Sequence, residues 1–381
     1  MPERLPLFAT AARGTEDLLV AELEALGGKK IRQDRGGVRF FANLNEALRI
    51  CLWTRLAMRV LYPLGESNAH GAQGLYDAAA RVPWEEHLTT RSTFAVESTL
   101  KDSEHAHSGF VSLKVKDAIV DRLRDKLGAR PDVDTRHPTV RVVAHLAKER
   151  LSLSLDLVGE PLHRRGYRIQ TTPAPLKETL AAALLAAAGY TGEEPFADPL
   201  CGSGTLVVEA GLIATRTAPG LRRSFAVERW PHLGKTARAA LDELRAEAKT
   251  SQRPAPFLLL GRDRDAEALD AARRNAAAAG LSGAVRFEEA DATLAAPPPG
   301  PGGLLVSNPP YGDRLTAGGQ KGMKTFYFKL GEALAQWKGW RMELLAGNEA
   351  FESAFHARPT NRRKLWNGPI ACTLLSYGPR T

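Results

Sequence analysis

The sequence has little of what builds a disulfide framework or a zinc site. It has three cysteines, Cys51, Cys201 and Cys372, which lie far apart and form no Cys-x-x-Cys pair. Neither a disulfide scaffold nor a zinc site is therefore indicated. His105 and His107 could bind a metal in principle, but no carboxylate or cysteine stands at ligand spacing from them. We therefore expect no metal site.

A targeting segment and a long apolar run are also missing. The longest apolar stretch, residues 180–189, is rich in alanine and too short to cross a bilayer. The first four residues lack the basic-then-apolar order of a secretory signal. We therefore expect a cytoplasmic protein that acts as a monomer and has no membrane partner.

What the sequence does have is length and positive charge. Its 381 residues suffice for two or three domains. The formal net charge of +9 favours a polyanionic partner, a nucleic acid before a membrane. A generally basic proteome would give the same excess, so charge alone does not identify the partner.

The first 160 residues have the alternating patterns of small α+β units. Residues 5–12 and 37–41 are predicted strands, and residues 15–26 a helix between them. Residues 140–146 and 151–157 alternate like a hairpin with one wet face. No catalytic constellation is found here, so we predict a binding role for this part.

A basic and aromatic group follows at residues 164–168, and we call it the hinge group. It stands before prolines 173 and 175, which favour extended backbone, so a domain boundary is predicted at residues 161–175. We expect its side chains to grip RNA phosphates and stack on a base. A solvated linker with stray charges is the alternative. The candidate RNA-binding residues are Arg164, Arg165, Tyr167 and Arg168.

A glycine-rich turn lies between a short strand, residues 194–197, and an apolar helix, residues 206–214. Such a turn binds nucleotides. Asp198, Gly202 and Gly204 belong to it, but Val207 stands where a dinucleotide site needs its third glycine. Asp198 would repel phosphate and favour the ammonium and sulfonium of S-adenosylmethionine. The turn therefore predicts that cofactor over NAD or ATP.

Two further acidic residues follow predicted strands. Asp263 is placed to accept the ribose hydroxyls, and Asp291 to accept the adenine amino group beside the backbone N–H of Ala292. Ligands of open α/β sheets bind at these carboxyl ends. Residues 216–256 interrupt the spacing as an insertion, for which substrate contact and covering of the sheet are both open.

The stretch Asn308-Pro309-Pro310-Tyr311 ends a fourth strand, residues 303–306. Alone it is equally typical of a tight loop. After three acidic strand ends, it predicts an amide acceptor for an exocyclic amine, with Asn308 also beside the cofactor. Asn367-Gly368 between apolar runs then predicts a closing hairpin, and the fold class is α/β with an antiparallel edge.

Four segments together resemble the THUMP-domain class I S-adenosylmethionine-dependent RNA guanine-N2 methyltransferases, in particular the bacterial 23S rRNA enzymes of RlmL type. The resemblance covers nearly the whole chain. It rests on residues 162–168, 174–178, 198–204 and 308–315. It implies a ferredoxin-like unit at 1–55, a THUMP domain at 56–160, a linker at 161–175 and a Rossmann-like methyltransferase domain at 176–381.

The resemblance also implies a reaction, methyl transfer to the N2 amine of a guanosine in 23S rRNA. Asn308 and the Pro309 carbonyl would accept the two amine hydrogens, and Tyr311 would stack on the base. In some members of the family a second methyltransferase domain follows, whereas this sequence ends at Thr381. We therefore expect the guanine-N2 activity alone. The same chemistry on tRNA, adenine-N6 methylation of DNA, and a non-catalytic ribosome assembly factor are the alternatives.

Overall fold

The computed structural model describes residues 4–170, 176–311, 319–355 and 357–379, with backbone alone at residues 319 and 320. Within these residues the chain forms two β-sheets, of eight and seven strands. Residues 174–175 and 312–315, which carry part of the resemblance, lie outside the described residues.

The first sheet takes its strands from the first 156 residues. Its order is β2-β3-β1-β4-β8-β7-β5-β6. β4 pairs with β1 on one side and with β8 on the other, so one continuous sheet crosses the predicted boundary at residue 55. The elements are β1 (Leu5–Thr10), α1 (Glu16–Ala25), β2 (Lys29–Asp34), β3 (Gly37–Ala42), α2 (Leu44–Trp53), β4 (Arg59–Asn68), α3 (Gly71–Ala80), β5 (Thr93–Lys101), α4 (Ser108–Leu127), β6 (Asp132–Val133), β7 (Val140–Ala147) and β8 (Arg150–Asp156), with one 3-10 turn at Trp84–Glu86.

The second sheet holds the predicted α/β half. Its order is β11-β10-β9-β12-β13-β15-β14, in which the first five strands are parallel and β15 and β14 form an antiparallel edge. The elements are α5 (Glu178–Ala187), β9 (Phe196–Asp198), α6 (Thr205–Ala214), α7 (Gly234–Thr250), β10 (Leu259–Asp263), α8 (Ala266–Ala279), β11 (Arg286–Glu289), β12 (Leu304–Ser307), α9 (Gly319–Ala335), β13 (Arg341–Ala346), α10 (Ala350–Ala354), β14 (Asn361–Asn367) and β15 (Ile370–Tyr377), with a 3-10 turn at Ala226–Arg229.

The order of the parallel strands reverses between β9 and β12. The chain moves outward from β9 through β10 to β11, and then returns to β12 on the other side of β9. A crevice forms at such a switch point, outside the carboxyl ends of the two strands. Asp198 ends β9 and Asn308 follows β12, so the switch point brings the predicted site residues together.

The closing hairpin forms as predicted, but its two turn residues are Gly368 and Pro369, one residue later than the predicted Asn367-Gly368. Asn367 pairs with Ile370, and Gly368 adopts φ +62°, which suits a two-residue turn between antiparallel strands. The hairpin makes β14 one of the two edge strands of this sheet.

The insertion at residues 216–256 covers the first half of the protein. Phe225 and Leu241, both fully buried, pack into the same core as Leu52 of α2. Arg49 of α2 also pairs with Glu247 of α7, with 2.9 Å between Nη1 and Oε1. The insertion therefore joins the second half of the chain to the core of the first half by apolar packing, and substrate contact by its exposed residues stays a prediction.

No helix in the described residues combines the length and the apolar character needed to cross a membrane.

Candidate active site

The centre of the site is the contact between the ends of β9 and β12. Ser307 Oγ donates a hydrogen bond of 2.6 Å to Asp198 Oδ1, and the Leu200 N–H donates to the same oxygen at 3.1 Å. Asp198 is 2% exposed, and this burial raises the pKa of its carboxyl to about 7 against the hydrogen bonds that lower it. A buried carboxyl of this kind favours a cation that replaces its lost hydration.

The glycine-rich turn needs its glycines for two different reasons. Gly202 and Gly204 both have positive φ, +52° and +81°, a region that side chains disfavour. A Cβ at Gly204 would also lie 2.9 Å from Ala272 Cβ, so a side chain there would push α8 away. The turn is therefore a tight backbone cradle at the start of α6.

Asp263 ties the second strand to this cradle. Its Oδ2 accepts the Gly202 N–H at 2.8 Å, and its Oδ1 accepts the Asp265 N–H at 3.1 Å. Asp265 in turn caps α8 by accepting the N–H groups of Glu267 and Ala268. A carboxylate has about four lone-pair sites, so Asp263 keeps acceptor capacity for hydroxyl groups.

Asp291 and Ala292 stand after the third strand. Asp291 is exposed, and its Oδ1 accepts both the N–H and the hydroxyl of Thr293 at 2.8 Å. These bonds, the backbone one first, lower the pKa of the Asp291 carboxyl. Ala292 is 3% exposed and packs into the core. Asp291 is thus an ionised acceptor at the sheet edge.

Asn308 offers an acceptor that the described residues leave unused. Its Oδ1 is buried and has no hydrogen-bond partner in the described part of the chain. A buried polar atom without a partner costs about 1–3 kcal/mol, so a ligand donor there would be favourable. Pro309, whose carbonyl was predicted to act with it, is buried beside it.

These observations fit S-adenosylmethionine. Open space lies where a Cβ of Gly202 would be, and Asp198 supplies a buried carboxyl for an ammonium. Asp263 and Asp291 supply acceptors for hydroxyl and amino groups. None of these positions offers the cationic side chain that phosphate binding favours. The predicted cofactor residues therefore follow four neighbouring parallel strands at one sheet edge, in the spatial order Asp291, Asp263, Asp198 and Asn308.

Tyr311 is held by neighbours that its sequence did not indicate. It is 3% exposed, and its hydroxyl accepts a hydrogen bond of 2.7 Å from Asn367 Nδ2. A Cβ at Gly347 would lie 2.5–2.8 Å from three of its ring carbons, so only glycine fits against the ring. Stacking on a base stays a prediction, because it requires a ring face that this structure buries.

The hinge group requires a correction. Arg165 is 4% exposed, and its guanidinium donates to the carbonyls of Leu162 and Arg55 at 2.8 and 2.5 Å. Its Nε also lies 3.5 Å from Glu209 Oε1, the oxygen to which the Tyr167 hydroxyl donates at 3.0 Å. Tyr167 is 3% exposed. The predicted RNA contacts of Arg165 and Tyr167 are wrong for this structure, since both side chains are used inside the protein.

Arg168 is also used inside the protein, and Arg164 is not. Arg168 donates to Glu178 Oε1 at 2.8 Å and to Thr205 Oγ1 at 3.0 Å, which supports the first residue of α6. Arg164 has a side chain that is 69% exposed and pairs with Glu160 at 2.8 Å. Only Arg164 of the hinge group therefore stays open to RNA.

Three residues that hold the site were missed. Ser307 orients Asp198, Asn367 holds Tyr311, and Tyr327 donates to the Pro310 carbonyl at 2.7 Å. Ser307 and Asn367 stood inside motifs already singled out, but their partners lie more than 50 residues away along the chain. No sequence spacing indicates such a partner.

His105 has acidic neighbours that its sequence spacing did not suggest. Its ring lies within 4.8 Å of carboxylate oxygens of Glu104 and Glu149, whereas His107 does not belong to this group. The Glu104 carboxylate accepts the Gly71 N–H, and the Glu149 carboxylate accepts the Glu104 N–H. The cluster is therefore explained by local backbone contacts.

The architecture defines the class of protein. A parallel sheet reversed between β9 and β12, a glycine-rich cradle, acidic strand ends and an antiparallel closing hairpin are together the fold of a class I methyltransferase domain. The chain belongs to the family with the RMKL-like methyltransferase domain, which matches residues 165–376. A THUMP domain matches residues 70–156 and an RlmL ferredoxin-like domain residues 6–61. The resemblance drawn from the motifs is confirmed.

Individual relatives agree with the family. The chain is 43% identical to "Ribosomal RNA large subunit methyltransferase K/L" of Syntrophotalea carbinolica, over 99% of this chain and 54% of that protein. It is 38% identical to "Putative RNA methyltransferase slr0064" of Synechocystis, over 98% of this chain and 96% of that protein. The chain therefore spans about half the length of the K/L relatives and nearly all of the Synechocystis protein.

A solved structure shares the whole fold. The crystal structure of SMU.472, titled "a putative methyltransferase complexed with SAH", superposes with a TM-score of 0.89 at 31% identity, and the match covers 100% of both chains. The predicted fold class, an α/β methyltransferase domain preceded by ferredoxin-like and THUMP domains, is confirmed.

Proposed function

We propose that the protein is an S-adenosylmethionine-dependent RNA methyltransferase that modifies the N2 amine of a guanosine in 23S rRNA. The observation that carries the proposal is the buried Asn308 Oδ1, which has no partner among the described residues and lies at the switch point of a methyltransferase sheet. The K/L relatives are named for the ribosomal large subunit, which supports rRNA as the substrate.

The cofactor residues have separate roles in this proposal. Asp198 would bind the ammonium, Gly202 and Gly204 would line the methionine end, and Asp263 would accept the ribose hydroxyls. Asp291 and the Ala292 N–H would bind the adenine edge. When bound, S-adenosylmethionine supplies an electrophilic methyl group on its sulfonium. The crystal structure of SMU.472, which matches the whole chain, is a complex with SAH, and this supports the choice of cofactor.

The amine needs help because its lone pair is delocalised into the guanine ring. Asn308 Oδ1 and the Pro309 carbonyl would accept its two N–H bonds and direct the lone pair at the methyl group. The amine nitrogen would form the new C–N bond as the S–C bond of the sulfonium breaks, with the neutral thioether as leaving group. The resulting cationic amine would lose a proton to solvent. No strong general base is required, and positioning supplies most of the rate.

The substrate is tested by transfer of labelled methyl groups to naked 23S rRNA, to tRNA, to assembled large subunits and to DNA. We expect 23S rRNA or its subunit to accept methyl groups, and mapping to find N2-methylguanosine. Transfer to tRNA alone would favour the tRNA alternative, and transfer to adenine in DNA the adenine-N6 alternative. The intact Asn308 and acidic strand ends disfavour a non-catalytic assembly factor, which would bind RNA without transfer.

The role of Asn308 is tested by Asn308→Ala. We expect methyl transfer to fall at least about a hundredfold, because the amine loses its acceptor, while SAH binding stays the same. Asn68→Ala is the matched control, since Asn68 is an exposed asparagine on the other sheet. An Asn308→Ala enzyme that transfers methyl groups at the wild-type rate would contradict the proposal.

A further inference from the structure

The tip of the closing hairpin adjoins the candidate active site. Asn367, the last residue of β14, donates from Nδ2 to the Tyr311 hydroxyl at 2.7 Å. Tyr311 is three residues from Asn308 in a stretch that leaves the carboxyl end of β12. The tip therefore lies at the same edge of the sheet as the candidate site, near the place where a target nucleotide would enter. Asn367 shares its face of β14 with Leu365, so the residues between them stand at this edge on the opposite face.

The outer face of the tip is basic and aromatic. Successive side chains of a strand point to opposite faces, and Leu365 of β14 is fully buried. Lys364 and Trp366 therefore share the opposite face, where Lys364 is exposed and Trp366 half-buried. β14 is also an edge strand, so no further strand of the described sheet continues beyond it.

A loop of the N-terminal half completes this face. The guanidinium carbon of Arg13 lies 3.8 Å from the centroid of the Trp366 ring, a close cation–π stack. Arg13 is itself exposed. We call Arg13, Lys364 and Trp366 the loop–hairpin strip.

The loop is fixed against the hairpin by its backbone. Arg363 Nη2 donates to the Gly14 carbonyl at 3.0 Å and pairs with Asp17. Gly14 has φ +88°, and a Cβ there would lie 2.5 Å from the Lys364 carbonyl oxygen. Only glycine permits this approach, so Arg13 is held over Trp366 before any ligand binds, which lowers the entropy cost of binding.

The two cations of the strip differ from their neighbours in having no acidic partner. Arg362 pairs with Glu352 and Arg363 with Asp17, whereas neither Arg13 nor Lys364 forms an ion pair within the described residues. Two unneutralised cations beside an aromatic stack suit a chain of phosphates and bases. An acidic protein surface could pair with the two cations, but the Arg13–Trp366 stack would add nothing to its binding.

We propose that the loop–hairpin strip binds the RNA next to the target nucleotide, a proposal that rests on the function proposed above. Arg13 and Lys364 contact phosphates, and a flanking base stacks on the Arg13–Trp366 pair. The strip takes one residue from the N-terminal loop and two from the C-terminal hairpin, so both halves of the protein hold the RNA at the site.

The test measures binding of a fluorescein-labelled single-stranded RNA by the full chain in a salt series. In the double variant Arg13→Gln/Lys364→Gln we expect the Kd to rise about tenfold at physiological salt. We also expect the slope of the logarithm of the association constant against log salt to become about 1.4 less negative, for two lost phosphate contacts on a single strand. Trp366→Ala should weaken binding about tenfold, and Trp366→Phe should recover part of that loss.

Two controls separate this effect from misfolding. SAH binding and the thermal midpoint should stay at wild-type values in Arg13→Gln/Lys364→Gln, because both side chains are exposed. Lys30→Gln/Phe41→Ala is the matched control, since Lys30 lies 5.7 Å over the exposed Phe41 ring on the other sheet. We expect this control to bind RNA like the wild type.

If Arg13→Gln/Lys364→Gln binds the RNA with wild-type affinity and salt slope, the proposed RNA-binding role of the strip is wrong. It is also wrong if the wild-type chain does not bind the RNA. If the wild type binds the RNA and transfers no methyl group to any substrate, the proposed function fails, while the binding series still decides the strip. If the wild type methylates RNA and the variants bind equally well, only the strip fails.

Discussion

Two groups of basic and aromatic residues can be compared in this protein, the hinge group and the loop–hairpin strip. The hinge group is contiguous at residues 164–168, yet its Arg165 and Tyr167 are 4% and 3% exposed. The strip joins residue 13 to residues 364 and 366, and its two cations are exposed. Closeness along the chain therefore did not predict an RNA surface, whereas closeness in space supports one.

The two groups differ in what compensates their positive charges. A buried guanidinium has lost its hydration, and protein acceptors must replace the lost water contacts. Arg165 has Glu209 and two backbone carbonyls as these acceptors. An exposed cation keeps its hydration and can exchange it for a phosphate. The hinge group therefore joins the two halves of the protein, and the strip is left open to a ligand.

The largest expected effect concerns the buried member of the hinge group. Arg165→Met leaves Glu209, which is fully buried, without its nearest cation, so we expect a loss of about 3–5 kcal/mol in the free energy of unfolding. Urea unfolding measures it, with the exposed Arg164→Met as the matched control. A stable Arg165→Met protein with weakened RNA binding would reverse the comparison.

The second prediction concerns Asp198, a buried group that has no cation of its own within the described residues. Since its pKa is raised to about 7 from 3.8, ionisation of this carboxyl destabilises the folded chain, and the stability present below pH 3.8 is lost as the pH rises to about 7. A bound ammonium needs the ionised form, so SAH affinity should fall about tenfold for each pH unit below 7. Calorimetric titration across that range measures it.

Asp198→Asn is the control for this pH dependence. We expect it to bind SAH weakly and with little dependence on pH, since the amide does not titrate. The same pH profile in Asp198→Asn and in the wild type would assign the titration to another group of the protein.

The third prediction sharpens the contrast between the two aromatic residues. Tyr167→Phe removes the hydrogen bond to Glu209, and we expect it to cost about 1–2 kcal/mol of stability. RNA affinity should stay within about twofold of the wild type, unlike that of Trp366→Ala. Weaker RNA binding by folded Tyr167→Phe would restore Tyr167 as a contact.

The smallest expected effect concerns Arg164, the exposed member of the hinge group. Its pair with Glu160 already neutralises it, so Arg164→Gln should change RNA affinity less than about twofold. Arg13→Gln, measured in the same salt series, should have the larger effect. Equal losses in the two variants would show that the hinge also contacts RNA.

The candidate site was predictable from the sequence to the extent that it depends on strand ends. Asp198, Asp263 and Asn308 each end or follow a short apolar run, and parallel strands bring such ends to one edge. The supporting residues were not predictable. Ser307 and Asn367 act through partners 109 and 56 residues away, and only the packed sheet sets those distances.

The sequence by itself determined the classes of structure in this protein. Apolar runs set the strands, Gly368 allows the closing turn, and the glycines and acids of the strand ends predicted the cofactor. These are local properties of the backbone and of single side chains. Tertiary structure alone decided which charges face water. Burial of Arg165 and exposure of Arg13 follow from what the second half of the chain packs against, and no local pattern carries that information.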